Sequence, residues 1–296
     1  MPGDWLRFAR RGIRQGLWPL LQRYSVFPKV VGLPPVALDL NADTAVHVLL
    51  CERDVVMFHW MLRSLLSLWL KPFRVVIHDD GSLSKETIAS LRETFVGIEV
   101  IGAKEAEARM AVLLCNHPGL MRWWPTTHWA KKALDVYLLG DSKYMILLDA
   151  DVLFFGEPST LFAEEGTSAW MRDSSYMLDI ESQASVGLFG GHPLPPLNAG
   201  VGRIERARFD LDLAAALLEV VPRPSNDMVF HAVMTAQRED FELLPDAYDC
   251  GLESGLKGVL VRHYTNPVRF WYYEEGIPRA ARNLELPLSR WSRERI

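Results

Sequence analysis

Residues 143–158, KYMILLDADVLFFGEP, indicate the fold class of this 296-residue chain. The apolar run Tyr144–Leu148 is continuous and does not alternate with polar residues, which is typical of a strand buried on both faces of a parallel sheet. The chain turns polar at Asp149, and Asp151 follows two positions later. Because ligands of open parallel sheets gather outside the carboxyl ends of the strands, we expect both carboxylates to face a ligand site.

Two carboxylates at such a position indicate a hard divalent cation. Oxygen ligands suit Mn²⁺ or Mg²⁺, and these ions commonly bridge to substrate phosphates. The Asp-x-Asp motif is weak alone, because a chain with 37 acidic residues contains such pairs by chance as solvated turns. Here a buried strand leads directly into the pair, with no cationic side chain close by in sequence. The segment therefore predicts a metal site that binds a diphosphate.

The composition excludes several classes of protein. Hydrophobic residues make up 49% of the chain, which is enough for one large folded domain and argues against disorder. The formal net charge of -5 predicts no nucleic-acid partner, since such binding needs a basic footprint. The cysteines Cys51, Cys115 and Cys250 have neither disulfide nor zinc-site spacing. No apolar stretch has the length of a membrane span and no signal-peptide core is present, so we expect a cytoplasmic protein.

Both ends of the chain are basic and amphipathic. This pattern predicts a basic helix and linker over residues 1–35, a main domain over 36–276 and a basic tail over 277–296. Two interpretations of the first helix stay open: it packs on the domain, or it lies on the anionic inner face of a membrane, where tryptophan and arginine suit the headgroup boundary. The residues that carry the pattern are Trp5, Leu6, Phe8, Ala9, Ile13, Leu17, Leu20 and Leu21 with Arg7, Arg10, Arg11, Arg14 and Arg23, and in the tail Arg279, Arg282, Arg290, Trp291, Arg293 and Arg295.

Strands and helices alternate through the first half of the chain, which implies a Rossmann-like α/β sheet with mostly parallel pairing. The pattern loosens after residue 160, and we expect the second half to build the acceptor side. The predicted strands are 45–51, 74–78, 98–102, 144–148, 168–172 and 200–204, and the predicted helices are 57–70, 85–95, 129–139, 210–221 and 228–236.

A second acidic strand exit follows the strand at 74–78. There His78, Asp79, Asp80 and Gly81 lead into a helix that Ser84 can cap. An aspartate-glycine turn explains this segment without any ligand. Asp80 is equally suited to accept a hydrogen bond from a ribose or a base imide, so it is a candidate donor-binding residue.

The order of these motifs resembles the nucleotide-sugar glycosyltransferases of the GT-A fold, in particular the retaining family 8 enzymes that use a UDP-sugar and manganese. The resemblance covers roughly residues 45 to 275, and it implies a GT-A domain with a mixed, mostly parallel sheet flanked by helices. It rests on HWAKKALDVY, PLNAGVGRI, SNDMVFHAVM and VRHYTNPVRFW as well as the Asp-x-Asp strand. By resemblance, Asp149, Asp151 and His263 are metal ligands, Asp80, Lys131, Asp149 and Arg269 bind the donor, and Asn198, Asn226 and Asp227 lie at the transferred sugar.

The chain departs from family 8 after the histidine. Those enzymes continue with a glycine and then a lysine, proline and tryptophan that close over the diphosphate, whereas this chain has Thr265 and Asn266 and carries Arg269 in place of the lysine. A guanidinium grips phosphate oxygens in a bidentate fashion, so the substitution keeps the chemistry.

The resemblance implies transfer of a hexose from a nucleoside diphosphate, a UDP-sugar, to a hydroxyl of a glycan or glycolipid acceptor in synthesis of the bacterial type. With retention, a phosphate oxygen of the leaving group takes the acceptor proton; with inversion, Asp227 is the base. Two other classes stay open: a haloacid-dehalogenase-like phosphatase, whose nucleophile motif is also Asp-x-Asp, and a non-catalytic sugar-nucleotide-binding protein. The pair Trp123 and Trp124 and the aromatic residues at 270–273 are candidates either for stacking on sugars or for packing in the core.

Overall fold

The computed structural model describes residues 18–163, 168–173, 196–221, 227–236 and 241–286. Its centre is a seven-stranded sheet in the order β10-β8-β9-β6-β2-β3-β5, in which β9 alone runs against its neighbours. The predicted mixed, mostly parallel sheet is therefore confirmed. A two-stranded pair, β1-β4, and a three-stranded sheet, β11-β12-β7, complete the described strands. The strands are β1 (Val36–Ala37), β2 (Thr44–Leu50), β3 (Arg74–Asp79), β4 (Phe95–Val96), β5 (Glu99–Ile101), β6 (Tyr144–Leu148), β7 (Val152–Phe154), β8 (Ser168–Arg172), β9 (Leu197–Glu205), β10 (Phe241–Leu243), β11 (Tyr248–Asp249) and β12 (Val261–His263).

The helices begin where short polar side chains satisfy free backbone N–H groups. Ser84, Thr127 and Asp210 each accept a hydrogen bond from the N–H three residues on, which starts three of the helices. The helices are α1 (Trp18–Ser25), α2 (Val55–Leu66), α3 (Lys85–Thr94), α4 (Ala103–Leu113), α5 (Pro118–Trp123), α6 (His128–Leu139), α7 (Leu211–Val220), α8 (Asp227–Ala236), α9 (Arg269–Trp271) and α10 (Ile277–Asn283), with a π-helical turn at Tyr272–Gly276 between the last two.

Both faces of the central sheet are covered. On β6, Ile146 and Leu148 belong to one buried apolar cluster, while Met145 and Leu147 belong to another on the opposite face. A strand that packs on both sides needs apolar residues at successive positions, which is why this segment reads as a continuous apolar run. The carboxyl ends of β2, β3 and β6 consequently meet at one edge of a closed core.

The small sheet brings a distant histidine to this edge. β7 starts directly after Asp151, and β12 pairs with it in antiparallel register so that His263 lies opposite Val152. The N–H of Tyr264 donates to the carbonyl of Asp151 at 3.0 Å. The apolar pattern suggests a strand over 258–261, but the strand runs from Val261 to His263 and therefore contains the histidine.

The described parts of the two termini pack on the domain. In α1, Leu20 is buried and the guanidinium of Arg23 lies 5.7 Å from the centroid of the Tyr273 ring. In α10, Ile277 and Ala280 are buried in the main apolar cluster. Residues 1–17 and 287–296, which carry most of the predicted basic pattern, lie outside the described residues, and the three-part division of the chain stays a prediction. None of the helices in the described ranges combines the length and apolar character needed to cross a bilayer.

Candidate active site

Three potential metal ligands converge at the carboxyl edge of the sheet. Asp149 and Asp151 follow β6, His263 ends β12, and one ligand atom of each lies within 4.8 Å of the others. The Nε2 atom of His263 is 3.4 Å from Oδ2 of Asp149 and 3.2 Å from Oδ1 of Asp151. The structure therefore brings together the three residues that the sequence predicts as a metal site.

The imidazole of His263 is held in one orientation. Its Nδ1 atom lies 2.7 Å from Oδ1 of Asn198, and the N–H of Gly200 donates to the same oxygen at 2.9 Å. Because an amide oxygen only accepts, Nδ1 must carry the proton, which leaves Nε2 directed at the carboxylates. A Cβ on Gly200 would lie 2.2 Å from the ring, so only glycine permits this approach. Asn198, predicted near the transferred sugar, thus orients a predicted metal ligand.

The charges around the triad suit a bound cation. Burial by itself would lower the pKa of His263, but Asp151 and Asp149 outweigh it and hold the pKa above its ordinary value. Burial would likewise raise the pKa of Asp151, yet His263 and Arg269 hold it well below its usual range. Two carboxyl groups and an oriented imidazole nitrogen form a ligand set that Mn²⁺ accepts. The residues present therefore fit the divalent metal that the sequence implies.

The predicted phosphate-binding arginine contacts a carboxylate in this structure. Nε of Arg269 donates to Oδ2 of Asp151 at 3.1 Å, and Nη2 donates to the same oxygen. The side chain keeps 32% of its surface exposed, toward the cavity described below. Arg269 therefore shields the outer oxygen of Asp151 while its remaining N–H groups stay within reach of a ligand.

Lys132, which the sequence analysis did not select, lies at the centre of the site. Its Nζ is 2.7 Å from Oδ1 of Asp149 and 2.9 Å from Oδ2 of Asp227, and the side chain is only 8% exposed. Burial would lower the pKa of this amine, but the two carboxylates raise it instead, so the charge is permanent. Lys131, the predicted donor contact, donates to the carbonyl of Asp80 at 2.6 Å. The role of Lys131 in donor binding stays a prediction. The lysine that contacts both Asp149 and Asp227 is Lys132.

A signal for Lys132 exists in the sequence. Lys132 shares a stripe of the predicted helix with the apolar residues Val136 and Leu139, which follow it four and seven positions later. A lysine on such a stripe needs a buried anionic partner. The pattern by itself does not say which anion that is.

Asp227 is the first residue of α8, and its carboxylate forms an ion pair with Lys132. Burial would raise the pKa of Asp227, but Lys132 outweighs it and holds the pKa below the ordinary value. One turn later His231 lies within 3.0 Å of the Tyr137 hydroxyl, and burial lowers its pKa to about 3, so it is neutral. The predicted sugar contact at Asn226 lies outside the described residues.

The other acidic strand exit forms a tight turn. Asp80 Oδ1 accepts from the N–H of Ser82 at 2.9 Å and from its hydroxyl at 2.6 Å. Asp79 Oδ1 accepts from the N–H of Gly81, whose φ of +108° lies in the range that favours glycine. The aspartate-glycine turn is thus formed, and Asp80 still borders the cavity, so its predicted role in donor binding stays open.

A cavity of about 820 Å³ joins these groups. This volume is in the range of pockets that bind small ligands. Its wall runs from Cys51 and Asp80, at the ends of β2 and β3, past the three potential metal ligands to Asp227 and Trp129. Trp123 and Trp124, the candidates for either stacking on sugars or packing, are buried in the core. These two residues pack, and Trp129 is the tryptophan that borders the cavity.

Comparisons with known proteins identify solved structures that share this architecture. No family model matches the chain, and no curated protein matches its sequence. Among solved structures, it is similar to the galactosyltransferase LgtC in complex with donor and acceptor sugar analogues, with 14% identity, a TM-score of 0.56 and coverage of 86% of this chain and 100% of that one. It is also similar to mouse xyloside xylosyltransferase 1, with 14% identity, a TM-score of 0.50 and coverage of 79% and 99% respectively. These likenesses show the fold: the chain has the GT-A fold, as the motifs predicted.

Proposed function

We propose that this protein is a metal-dependent hexosyltransferase that moves a sugar from a UDP-sugar to an acceptor hydroxyl with retention of anomeric configuration. The observation that carries the proposal is the convergence of Asp149, Asp151 and His263 with Lys132 and Asp227 on one cavity of a GT-A fold. These residues come from the end of β6 and from β12, α6 and α8, which lie along more than 130 positions of the chain. A purely structural cluster has no need to line a cavity of this volume.

The arrangement matches the charge changes of glycosyl transfer. As the glycosidic bond breaks, negative charge grows on the diphosphate, so fixed cations beside it stabilise the transition state more than the ground state. Arg269 supplies one such cation at the cavity, and Lys132, between Asp149 and Asp227, supplies a second. A bound Mn²⁺ or Mg²⁺ supplies Lewis-acid neutralisation of the diphosphate, with Asp149, Asp151 and His263 as its ligands.

Retention is favoured by the state of Asp227. An efficient general base has a pKa near the working pH. Lys132 holds the pKa of Asp227 below its ordinary value, which makes this carboxylate a weak base. In the retaining route the acceptor proton passes to a phosphate oxygen of the leaving group. Asp227 instead orients the sugar and balances positive charge on its ring, and Lys132 holds this carboxylate in its charged form. Inversion with Asp227 as base is the alternative that this contact disfavours.

A sugar acceptor fits the known structures that share the fold. LgtC has been crystallised with donor and acceptor sugar analogues, and the mouse enzyme is named for a xyloside. We therefore propose a glycan or glycolipid acceptor, and a donor whose ribose or base hydrogen bonds with Asp80. The phosphatase alternative has no support from the GT-A fold, and the non-catalytic alternative is decided by measuring turnover.

Location at the cytoplasmic face of a membrane is a further part of the proposal. It rests on the basic, amphipathic pattern of the two termini. Deletion of residues 1–17 tests it without disturbing α1, whose Leu20 is buried in the domain. Reduced flotation with anionic vesicles, compared with the full chain, is the expected result; unchanged flotation would contradict it.

The test of the proposed function is donor hydrolysis across UDP-, GDP- and other activated sugars, with Mn²⁺, Mg²⁺ or chelator. We expect release of one nucleotide with metal, and its loss in Asp151→Ala. Leu70→Ala is the matched control, because Leu70 is 91% exposed and lies outside the cavity. Metal-dependent nucleotide binding without turnover, with or without acceptor sugars, would identify a sensor; neither binding nor turnover would reject the proposal.

A further inference from the structure

Trp129 is exposed in an unusual place. Of the ten large hydrophobic residues that are strongly exposed in the described part of the chain, it is the one that borders the cavity. It is 40% exposed, while Trp60, Trp123, Trp124 and Trp170 are all buried. An indole with this much free surface at the mouth of a ligand cavity gains most when a ligand covers it.

The position of Trp129 on α6 determines which part of the cavity the residue borders. Successive residues of an α-helix are rotated by about 100° around the axis. Trp129 therefore lies about 60° from Lys132, three positions later, but about 160° from Lys131, two positions later. Lys131 contacts Asp80, at the end of β3, and Lys132 contacts Asp227, at the start of α8. Trp129 therefore lies on the Asp227 side of α6 and away from the Asp80 side.

The surroundings of the indole limit the chemistry of its ligand. His128 covers part of it, with ring centroids 4.6 Å apart and planes tilted by 50°. The neighbouring cavity groups, among them His128, Lys132 and Asp227, are polar or charged. An exposed aromatic face with polar groups beside it suits a molecule with one apolar face and hydroxyl edges, which describes a pyranose ring. An acyl chain would need a continuous apolar groove.

We infer that Trp129 is the stacking platform of an acceptor subsite, and that the group it holds is a sugar ring of the acceptor. The inference rests on the proposed function, because it assigns the acceptor side of the same cavity. The apolar C–H face of the ring lies on the indole, and its hydroxyl groups point toward the Asp227 end of the cavity. This geometry sets the acceptor hydroxyl beside the donor sugar, so Trp129 determines acceptor specificity without contacting the nucleotide.

The test measures saccharide binding and donor hydrolysis separately on the full chain. Binding of a panel of methyl galactosides, glucosides, mannosides and N-acetylglucosaminides is followed by saturation-transfer NMR with UDP and the diamagnetic ion Mg²⁺ present. We expect wild type and Leu70→Ala to bind at least one member through its C–H protons, and Trp129→Ala to weaken that binding at least about tenfold. Trp129→Phe, which keeps a smaller ring, is expected to lie between. In both Trp129 variants saccharide affinity is expected to fall more than UDP affinity, while Leu70→Ala keeps saccharide binding, UDP affinity and donor hydrolysis at the wild-type level.

Two results would overturn the inference, and they differ from failure of the proposed function. Saccharide binding that is equal in wild type and Trp129→Ala would show that the indole does not hold the sugar. Loss of UDP affinity in Trp129→Ala, with saccharide binding intact, would move the indole to the nucleotide. In either case hydrolysis of the donor by wild type would leave the transferase proposal standing, whereas absence of hydrolysis and of all binding would reject both.

Discussion

The exits of β3 and β6 carry similar acidic residues and use them in opposite ways. After β3, Asp79 accepts hydrogen bonds from the backbone N–H groups of Gly81 and Leu83, at 2.8 and 3.1 Å. Asp80 accepts from the N–H and the hydroxyl of Ser82. The carboxylates at this exit therefore stabilise a turn that leads into α3.

After β6, the contacts of the carboxylates are with side chains from distant segments. Asp149 meets Lys132 and His263, and Asp151 meets His263 and Arg269. Backbone groups next to a carboxylate cannot leave it without breaking the turn, but cationic side chains can rearrange when a ligand arrives. The comparison teaches that carboxylates satisfied by distant cations can rearrange around a ligand, whereas carboxylates satisfied by their own turn are fixed in place.

The largest expected effect distinguishes the two exits by activity. Asp151→Asn removes a charge that His263 and Arg269 both contact, and with it a proposed metal ligand. We expect metal-dependent donor hydrolysis to fall by about 10²–10³-fold, which is typical for loss of a group that balances transition-state charge. The matched variant Asp79→Asn should change the rate little. Equal losses in initial rate for the two variants would remove the distinction between the exits.

The two adjacent lysines of α6 sharpen the comparison by stability. Lys132→Met leaves Asp149 and Asp227 without their shared cation, and breaking a buried ion pair in this way costs about 3–5 kcal/mol. Lys131→Met removes one hydrogen bond from a charged group to the carbonyl of Asp80, for which we expect a loss of about 1–3 kcal/mol. Urea unfolding of both variants measures the free energies. If Lys131→Met proved the more destabilising, the assignment of the buried charge to Lys132 would be wrong.

Asp135 is a buried acid that lies at neither strand exit. Asp135 accepts a hydrogen bond from the Trp124 indole, and burial raises its pKa to about 7. In the unfolded chain the pKa returns to about 4. Between these values the folded state keeps a proton that the unfolded state releases, so this group's contribution to stability, present below about pH 4, is lost as the pH rises to about 7.

Asp135→Asn keeps the acceptor oxygen and removes the titration. As the pH rises from 5 to 8, we expect the free energy of unfolding of the variant to increase by about 2 kcal/mol relative to that of wild type. Urea titrations at both pH values give this difference. Parallel changes in the two proteins would mean that Asp135 is already ionised at pH 5.

The smallest expected effect separates the two acids of the β3 exit. Asp80 borders the cavity, so Asp80→Ala should raise the donor KM severalfold while kcat stays near wild type, because uniform binding is lost. Asp79→Ala should instead lower the free energy of unfolding by about 1 kcal/mol and leave the donor KM unchanged. Steady-state kinetics and urea unfolding give the two quantities. An unchanged KM in Asp80→Ala would assign both acids to the turn alone.

Much of the fold could be predicted from local sequence. The strand at Tyr144–Leu148 was predicted with its observed bounds, and the strand at Ser168–Arg172 likewise, because buried strands read as short runs of apolar residues. The helices α4 and α5 were missed. α4 buries only Ala106 and Met110 of its eleven residues, so it carries almost no apolar periodicity.

The candidate site could be predicted less completely. Asp149 and Asp151 follow from a strand that ends in acids, while His263 entered through the resemblance of its segment to family 8. Lys132 was passed over in favour of Lys131, because adjacent residues on a helix differ by about 100° in direction and the docking of α6 on the sheet decides which one faces the acids. The same docking buries Trp124 and leaves Trp129 at the cavity.

The sequence by itself determined the alternation of most strands and helices, the acidic strand exits and the apolar runs of the buried strands, since each depends on patterns a few residues long. Only the tertiary structure decided how these acids are used. The hydrogen bond from His263 to Asn198, the contact of Arg269 with Asp151 and the burial of Lys132 between two carboxylates join residues that are 17 to 118 positions apart. Such contacts depend on how whole elements pack, because a change of one residue in register or about 100° in helix rotation would assign each of these roles to a neighbour.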